Sequence, residues 1–313
     1  FSLRPQSLSE FLGQNELKSR LAVFIQAANQ RQEALDHVLL SGPPGLGKTT
    51  FSRIIASELR AHCHVTSGPA IERPGDLAAI LTNLQSRDVL FIDEIHRLRT
   101  VVEEILYSAM EDYKLDIIVG KGPDARTLRI DLPRFTLIGA TTRSGLLSSP
   151  LRDRFGILGH FEHYPVQQLA SIVRRSADLL QTEVTQDGAE MIARRSRGTP
   201  RIVNRLLRRV RDFAQVDSQA VVDGRFAAES LDRLQVDSMG LDHLDLRILN
   251  VLGKIHSGNA IGLNTLAISV GEEEETIAEV CEPYLIQIGF LERTPRGRRI
   301  TVQGQKYLND KVG

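Results

Sequence analysis

The chain is short of cysteine, carries no net charge and has no long apolar run, and each absence removes a class of function. Of its 313 residues only Cys63 and Cys281 are cysteines. Two thiols so far apart exclude a disulfide framework or a four-cysteine zinc site, and the expected compartment is reducing. Basic and acidic residues number 39 each, so the formal charge is zero. That excludes a globally basic nucleic-acid binder and confines any such binding to local clusters. No segment approaches about eighteen consecutive apolar residues, and no charged-then-apolar leader precedes the first motif, so neither a membrane span nor a signal peptide is expected. Internal repeats and low-complexity stretches are missing too. What remains, with charged residues at 25%, is the composition of a globular chain of two or three domains.

The chemistry begins at residues 35–50, LDHVLLSGPPGLGKTT. An apolar strand at Val38, Leu39 and Leu40 runs into a Gly/Pro-rich loop, and a helix is expected from about Lys48. Gly42, four residues, then Gly47, Lys48 and Thr49 form a P-loop in its strand-loop-helix context. Gly42, Gly45 and Gly47 let backbone N–H groups converge on phosphates at a helix N-terminus, Lys48 reaches the β and γ phosphates, and Thr49, followed by Thr50, offers a hydroxyl to Mg²⁺. A second strand, DVLFIDEIHRL at 88–98, ends in Asp93 and Glu94. In an open parallel sheet that end faces the ligand, so Asp93 is expected to hold the metal through water and Glu94 to orient or deprotonate the attacking water. A third strand, FTLIGATTR at 135–143, brings Thr142 toward the γ-phosphate. The turn SSPLRDRFG then presents Arg152 and Arg154, and an arginine there suggests a finger offered to a neighbouring subunit.

One stretch, KLDIIVGKGPDARTLRIDL at 114–132, is not needed by a nucleotide-binding core. Its halves alternate at period two around the turn GKGPDA, which predicts a β-hairpin. Ile117, Ile118 and Val119 would form an exposed apolar edge, for which a partner protein is the simplest cover. The alternative is that the hairpin folds back on its own domain.

Residues 163–233 carry helical periodicity, with Gly198–Thr199–Pro200 introducing a helix at Arg201. Eight arginines fall between Arg194 and Arg211. Arg201 alone is assigned to nucleotide sensing; the others are expected to pair with acidic neighbours across a subunit interface. QVDSMGLDHLD at 235–245 reads as a linker, and the remainder follows winged-helix order, ending in two short strands around TPRG. The third helix of that order opens on Glu272, Glu273, Glu274 and Glu275, which face phosphates badly but suit a helix N-terminus. Arg293, Arg296, Arg298 and Arg299 cluster on the wing, and arginine on phosphate does not read bases, so DNA binding is expected to ignore sequence. In HCH at 62–64 only His62 and His64 share a face, and no metal is expected there.

Together GPPGLGKTT, LFIDEIHRL, GATTR and LRDRFG resemble an AAA+ ATPase. With LRPQSLSEFLGQ, MEDYKLDIIVGKGP, GTPRIVNRLLRRVRDFA and EPYLIQIGFLERTPRGR added, essentially the whole chain resembles the RuvB family of bacterial Holliday-junction branch-migration motors. The resemblance implies an α/β fold: a large AAA+ domain at 1–162 with an inserted hairpin at about 115–132, a helical lid at 163–233 and a winged-helix head at 236–313. It implies that ATP and Mg²⁺ are used and that Leu3 and Arg4 border the adenine. Glu111, Asp112, Tyr113 and Tyr164 would line the rest of the nucleotide region. Arg154 would be the trans-acting finger and Arg201 the sensor. The hairpin would dock RuvA, Arg293 and Arg298 would contact DNA, and a cytoplasmic hexamer would be the working form. Thr142, where many AAA+ proteins carry Asn, is normal for this family.

Three other readings compete. A clamp loader is also AAA+ and binds DNA, but its usual arginine motif is Ser-Arg-Cys and its usual C-terminus is a collar, not a winged helix. A protein unfoldase would need an aromatic pore loop, and SGPAIERPGDLAAIL at 67–81 has none. An ATP-switched winged-helix regulator would prefer one duplex over random duplex at moderate salt; Glu94, Arg154 and the acidic third helix argue against it.

Overall fold

The computed structural model describes residues 3–119 and 126–311, with the side chains of residues 117–119 and 126 outside the description. The chain divides into two compact units, Phe1–Ile172 with Thr199–Arg201, and Val173–Gly198 with Ile202–Gly313.

In the first unit, α1 (Asn15–Arg31), β1 (Val38–Ser41), α2 (Lys48–Glu58), β2 (Cys63–Ser67), α3 (Pro74–Thr82), β3 (Val89–Asp93) and α4 (Thr100–Glu111) come first. The hairpin β4 (Lys114–Val119) and β5 (Arg126–Asp131), then β6 (Thr136–Thr141), α5 (Ser149–Arg152), β7 (Ile157–His160) and α6 (Val166–Leu179) follow. Five strands form one parallel sheet in the order β2-β3-β6-β1-β7. The buried runs VLLS, VLFID and TLIGAT fill its middle, as expected of strands covered on both faces. One core joins β3 and β6 to α3 and α4 through Leu77, Leu81, Leu90, Ile92, Leu106 and Phe135. α4 supplies Val102, Leu106, Ala109 and Met110, a helical stripe. Elsewhere Phe51 meets Phe11 and Phe161 edge to face, with centroids 5.0 and 5.5 Å apart. Emptying the Phe51 site to alanine would cost about 3–5 kcal/mol.

The predicted hairpin forms with Leu115 opposite Ile130 and Ile117 opposite Leu128. Its base folds back: Leu115 and Leu132 are buried in the core of the domain and Ile130 packs against it. Farther out, Leu128 is 54% exposed. The turn at 120–125 and the side chains of Ile117, Ile118 and Val119 lie outside the described residues.

The second unit holds β8 (Glu183–Val184), α7 (Gln186–Arg194), α8 (Pro200–Val216), β9 (Val221–Val222), α9 (Gly224–Arg233), α10 (His243–Asn250), α11 (Leu263–Val270), α12 (Glu274–Thr276), α13 (Glu282–Gln287), β10 (Leu291–Thr294), β11 (Gly297–Ile300) and α14 (Val302–Asp310). A π-helical segment, Ile277–Cys281, joins α12 to α13. α8 buries Val203, Leu206, Leu207, Val210 and Ala214, leaving its arginines on the polar face. Asp223 and Asp242 cap α9 and α10 by accepting backbone N–H bonds, offsetting about 1 kcal/mol each that alanine would lose. The winged-helix core gathers Ile248, Leu252, Leu266, Val270, Ile277, Leu285 and Leu308.

The stretch 235–245, read as a linker, is tied down by hydrogen bonds. Asp237 accepts from Tyr307, Met239 O accepts the Tyr284 hydroxyl at 2.6 Å, and Gly240 O accepts Arg197 Nε at 2.7 Å. Several of the arginines expected to reach across a subunit interface find acids in their own chain. Arg195 pairs with Asp232, and Arg197 pairs with Asp242 and the fully buried Asp245.

Candidate functional site

β1 delivers the chain into the loop at Gly42, whose N–H donates to Thr141 O of the neighbouring β6 at 3.2 Å. Gly42, Gly45 and Gly47 all have φ in the left-handed region. A Cβ on Gly42 would stand 2.4 Å from Phe161 O, so that position also needs glycine for space. The loop leads into α2, which starts at Lys48 as expected. Lys48 is buried, and its Nζ donates to Gly42 O at 2.7 Å and Pro43 O at 2.8 Å. Burial, with a smaller contribution from Arg201, lowers its pKa to about 8 against the attraction of Asp93. An ammonium held this way is stabilised by a nearby anion, and a phosphate at the loop would raise its pKa again.

Thr49 Oγ1 donates to Asp93 Oδ2 at 3.1 Å. A hydroxyl beside a carboxylate at a phosphate cradle is the oxygen donor set a hard divalent cation takes, so Mg²⁺ fits Thr49 and Asp93. Asp93 Oδ1 accepts the N–H of Glu94 at 3.0 Å. Glu94 itself sits at φ 49, and its carboxylate pairs with Arg97 at 3.2 Å. Thr142 is exposed, while its buried neighbour Thr141 bonds His96 Nδ1 at 2.9 Å and receives the N–H of Arg143 at 2.9 Å. Arg201 reaches the loop through its backbone: its N–H donates to Gly45 O at 3.3 Å, and a Cβ on Gly45 would lie 3.2 Å from Arg201 Cβ.

On the expected adenine side, Tyr164 is buried with its hydroxyl donating to Leu46 O at 3.3 Å, and burial pushes its phenol pKa up. Leu3 is buried and Arg4 exposed. One residue the sequence did not single out lies beside the loop: the Phe11 ring is 3.2 Å from where a Cβ on Gly47 would be, and the Tyr164 ring fills the space beside Gly13.

Glu111, Asp112 and Tyr113, expected to line the rest of the nucleotide region, make no side-chain contact with the P-loop of their own chain among the described residues. Tyr113 packs against His37 and Phe135, at the opposite end of β1 from Gly42. The reason is that the hairpin starts directly after α4, so Tyr113 must turn down to close it, with Leu132 N–H on its carbonyl at 2.8 Å. Glu111 instead grips Arg154 Nη2 at 2.7 Å. That guanidinium also donates to Pro150 O at 2.7 Å and lies 4.8 Å over the Tyr107 ring. Tyr107 is held in turn by buried Glu103, which also accepts from Ser148 at 2.7 Å. None of these contacts involves the P-loop of the same chain.

In the head, Arg293 and Arg298 face each other across β10 and β11. Like charges in that position repel, and buried Glu282 resolves the conflict by accepting from both, from Arg293 Nε at 2.8 Å and Arg298 Nε at 2.5 Å. Arg299 pairs with Glu292. Arg296, at the tip, is exposed.

Three family models cover nearly the whole chain: the P-loop domain of the Holliday junction DNA helicase RuvB matches residues 3–161, the RuvB AAA lid domain 164–237, and the RuvB C-terminal winged helix domain 238–309. The chain belongs to the RuvB family. Among solved structures, the Thermotoga maritima RuvB Holliday junction branch migration motor is 52% identical, with 98% of each chain covered and a TM-score of 0.89. Two variants of that protein superpose with TM-scores of 0.90, at 52% and 51% identity over 98% and 99% of each chain. At that likeness the fold is that of RuvB, a parallel AAA+ sheet with a helical lid and a winged helix. The chain is accordingly an AAA+ P-loop ATPase of the branch-migration motor family.

Proposed function

We propose that the chain works as a cytoplasmic hexameric ring that uses ATP and Mg²⁺ to pull duplex DNA through four-way junctions held by RuvA. The observation that carries this is the pairing of a complete P-loop, Lys48 with Thr49 on Asp93, with an arginine, Arg154, fixed among Tyr107, Glu111 and Pro150 rather than on its own loop. A guanidinium positioned there serves a neighbour's phosphates.

In this reading the backbone N–H groups of Gly45 to Thr50 and the Lys48 ammonium bind the phosphates, while Leu3 and Arg4 border the adenine and Phe11 and Tyr164 line the rest of the nucleotide region. Thr49 and Asp93 would hold Mg²⁺, which when bound would neutralise phosphate charge. Glu94 takes the proton of the attacking water or orients it, and Thr142 bonds toward the γ-phosphate. Arg201 reads nucleotide from the first turn of α8. The large domain, lid and head correspond to 1–162, 163–233 and 236–313. Exposed Leu128 on the outer half of the hairpin supports docking of RuvA by Ile117, Ile118 and Val119 together with it. Arg293 and Arg298, oriented by Glu282, contact phosphates without reading bases.

The test is strand separation of a synthetic four-way junction with ATP and Mg²⁺, with and without RuvA, and with Glu94→Gln as control. Separation that requires ATP, Glu94 and RuvA supports the reading. Hydrolysis that leaves junctions intact in the presence of RuvA refutes the assignment of substrate.

A further inference from the structure

We infer that the sheet carries a second metal site, for a zinc-class divalent cation, at the end of β2 and β3 opposite the nucleotide. The ligands are His62, His64 and Asp88. Parallel pairing of Cys63 with Val89, reinforced by Val89 N–H on His62 O at 2.9 Å, sets Asp88 beside the two imidazoles. Period-two alternation along the strand puts His62 and His64 on one face and Cys63 on the other. The ligand atoms of the three residues all lie within 4.8 Å of one another.

The close pairs make the case. His64 Nε2 is 3.0 Å from His62 Nδ1 and 2.9 Å from Asp88 Oδ2. One ring nitrogen carries either a single proton or a single lone pair, so it cannot make a full hydrogen bond in both directions. A proton aimed at Asp88 leaves the His62 contact weak; a lone pair there faces the carboxylate. A cation bonded to each at about 2.0–2.2 Å resolves the conflict, because its tetrahedral ligands stand about 3.3 Å apart.

The carboxylate is also held in place. Asp88 Oδ2 accepts the N–H of Gln85 at 2.9 Å, and the Asp88 N–H donates to Gln85 O at 3.1 Å, a closed turn that orients the acid from outside the site. Two imidazoles and one carboxylate favour zinc, copper or nickel over magnesium, and a fourth position remains for water. The bound ion would clip β2, the edge strand, to β3.

The experiment is titration of the untagged, nucleotide-free protein with Co²⁺, reading the strong visible absorption of tetrahedral cobalt, followed by competition with Zn²⁺. Wild type should bind one equivalent at micromolar metal, and Zn²⁺ should bleach the signal. His62→Ala changes an exposed side chain and should weaken binding at least tenfold, as should Asp88→Asn if it folds. Asp93→Asn, which alters the nucleotide-side metal position, should leave the tetrahedral signal unchanged. No tetrahedral signal in wild type, or one that survives His62→Ala, overturns the site.

Discussion

Gly68→Ala tests how Glu94 is placed. Gly68 follows β2 directly, and a Cβ there would stand 2.4 Å from the Glu94 carbonyl oxygen and 3.3 Å from Leu98 N. Real Cβ atoms essentially never come within 3.0 Å of such a neighbour. The Glu94 backbone therefore has to retreat by roughly 1 Å to reach ordinary contact distance. It has little freedom to absorb this, because Glu94 already holds φ 49 and its N–H is bonded to Asp93. A shift of about 1 Å at a group that aligns the attacking water costs about a hundredfold in turnover. The P-loop is untouched, so nucleotide affinity should stay within about twofold. The strain itself should lower stability by about 1–3 kcal/mol. Gly75→Ala is the control, since nothing lies within 4 Å of its added Cβ. Steady-state ATPase, fluorescent-nucleotide binding and denaturant unfolding on both variants decide the matter. If Gly68→Ala turns over like wild type while losing that stability, the strand yields instead and this contact does not set Glu94.

Rings mixed from Arg154→Ala and Lys48→Ala subunits should regain ATPase activity that neither variant shows alone, and Glu111→Ala should complement Lys48→Ala too, with little loss of stability because Glu111 is an exposed partner. Arg293 is 54% exposed and Arg298 only 19% at the side chain. Arg293→Ala and Arg298→Ala should each lower the slope of log affinity for random duplex against log salt by about 1, and Arg298→Ala, the more buried of the two, should also lower the melting of the head. Glu282→Gln, leaving two arginines around a neutral amide, should destabilise the head by about 3–5 kcal/mol in denaturant unfolding. Burial pushes the Asp245 carboxyl up to about 6 from 3.8, against the pull of Arg197. The folded state then holds this proton more tightly than the unfolded one, so the group's contribution improves as pH falls from about 6 to about 4 and is lost as pH rises back through that window. Unfolding of wild type and Asp245→Asn between pH 4 and 7 should differ by that slope, and parallel curves would refute it.

Chemistry that is local in the chain is legible in the sequence. The P-loop, Asp93 with Glu94, and Arg154 are short runs whose spacing is set by a strand, a loop and a helix, and the hairpin register follows from alternation. Contacts that depend on packing between distant segments leave no such mark. Nothing in MEDYK says that Tyr113 must turn away to close the hairpin while Glu111 meets Arg154. Nothing in EPYLIQ says that Glu282 is buried beneath two wing arginines. The Asp88 carboxylate joined His62 and His64 only once β2 was known to pair with β3. α14 escaped notice because VQGQKYLND buries only Gly304 and Leu308, too few apolar positions to show a period.

The arginine-rich stretch bears most on how a motor of this kind would transmit force. Arg195 and Arg197 follow α7 directly; Arg195 binds Asp232 and Arg197 binds Asp242 and Asp245, all within the compact unit of 173–198 and 202–313. The joint is held by more than charge. Gly240 passes so close to Arg195 that a Cβ would be 2.6 Å from its carbonyl oxygen, and the Arg197 guanidinium lies 5.2 Å over the Tyr284 ring of α13. Buried ion pairs are weak evidence for stability, but breaking one exposes an uncompensated charge and costs about 3–5 kcal/mol. Bending between lid and head would break the Arg197–Asp245 pair, with Asp245 fully buried. The segments 173–198 and 202–313 therefore keep this joint closed unless that cost is met.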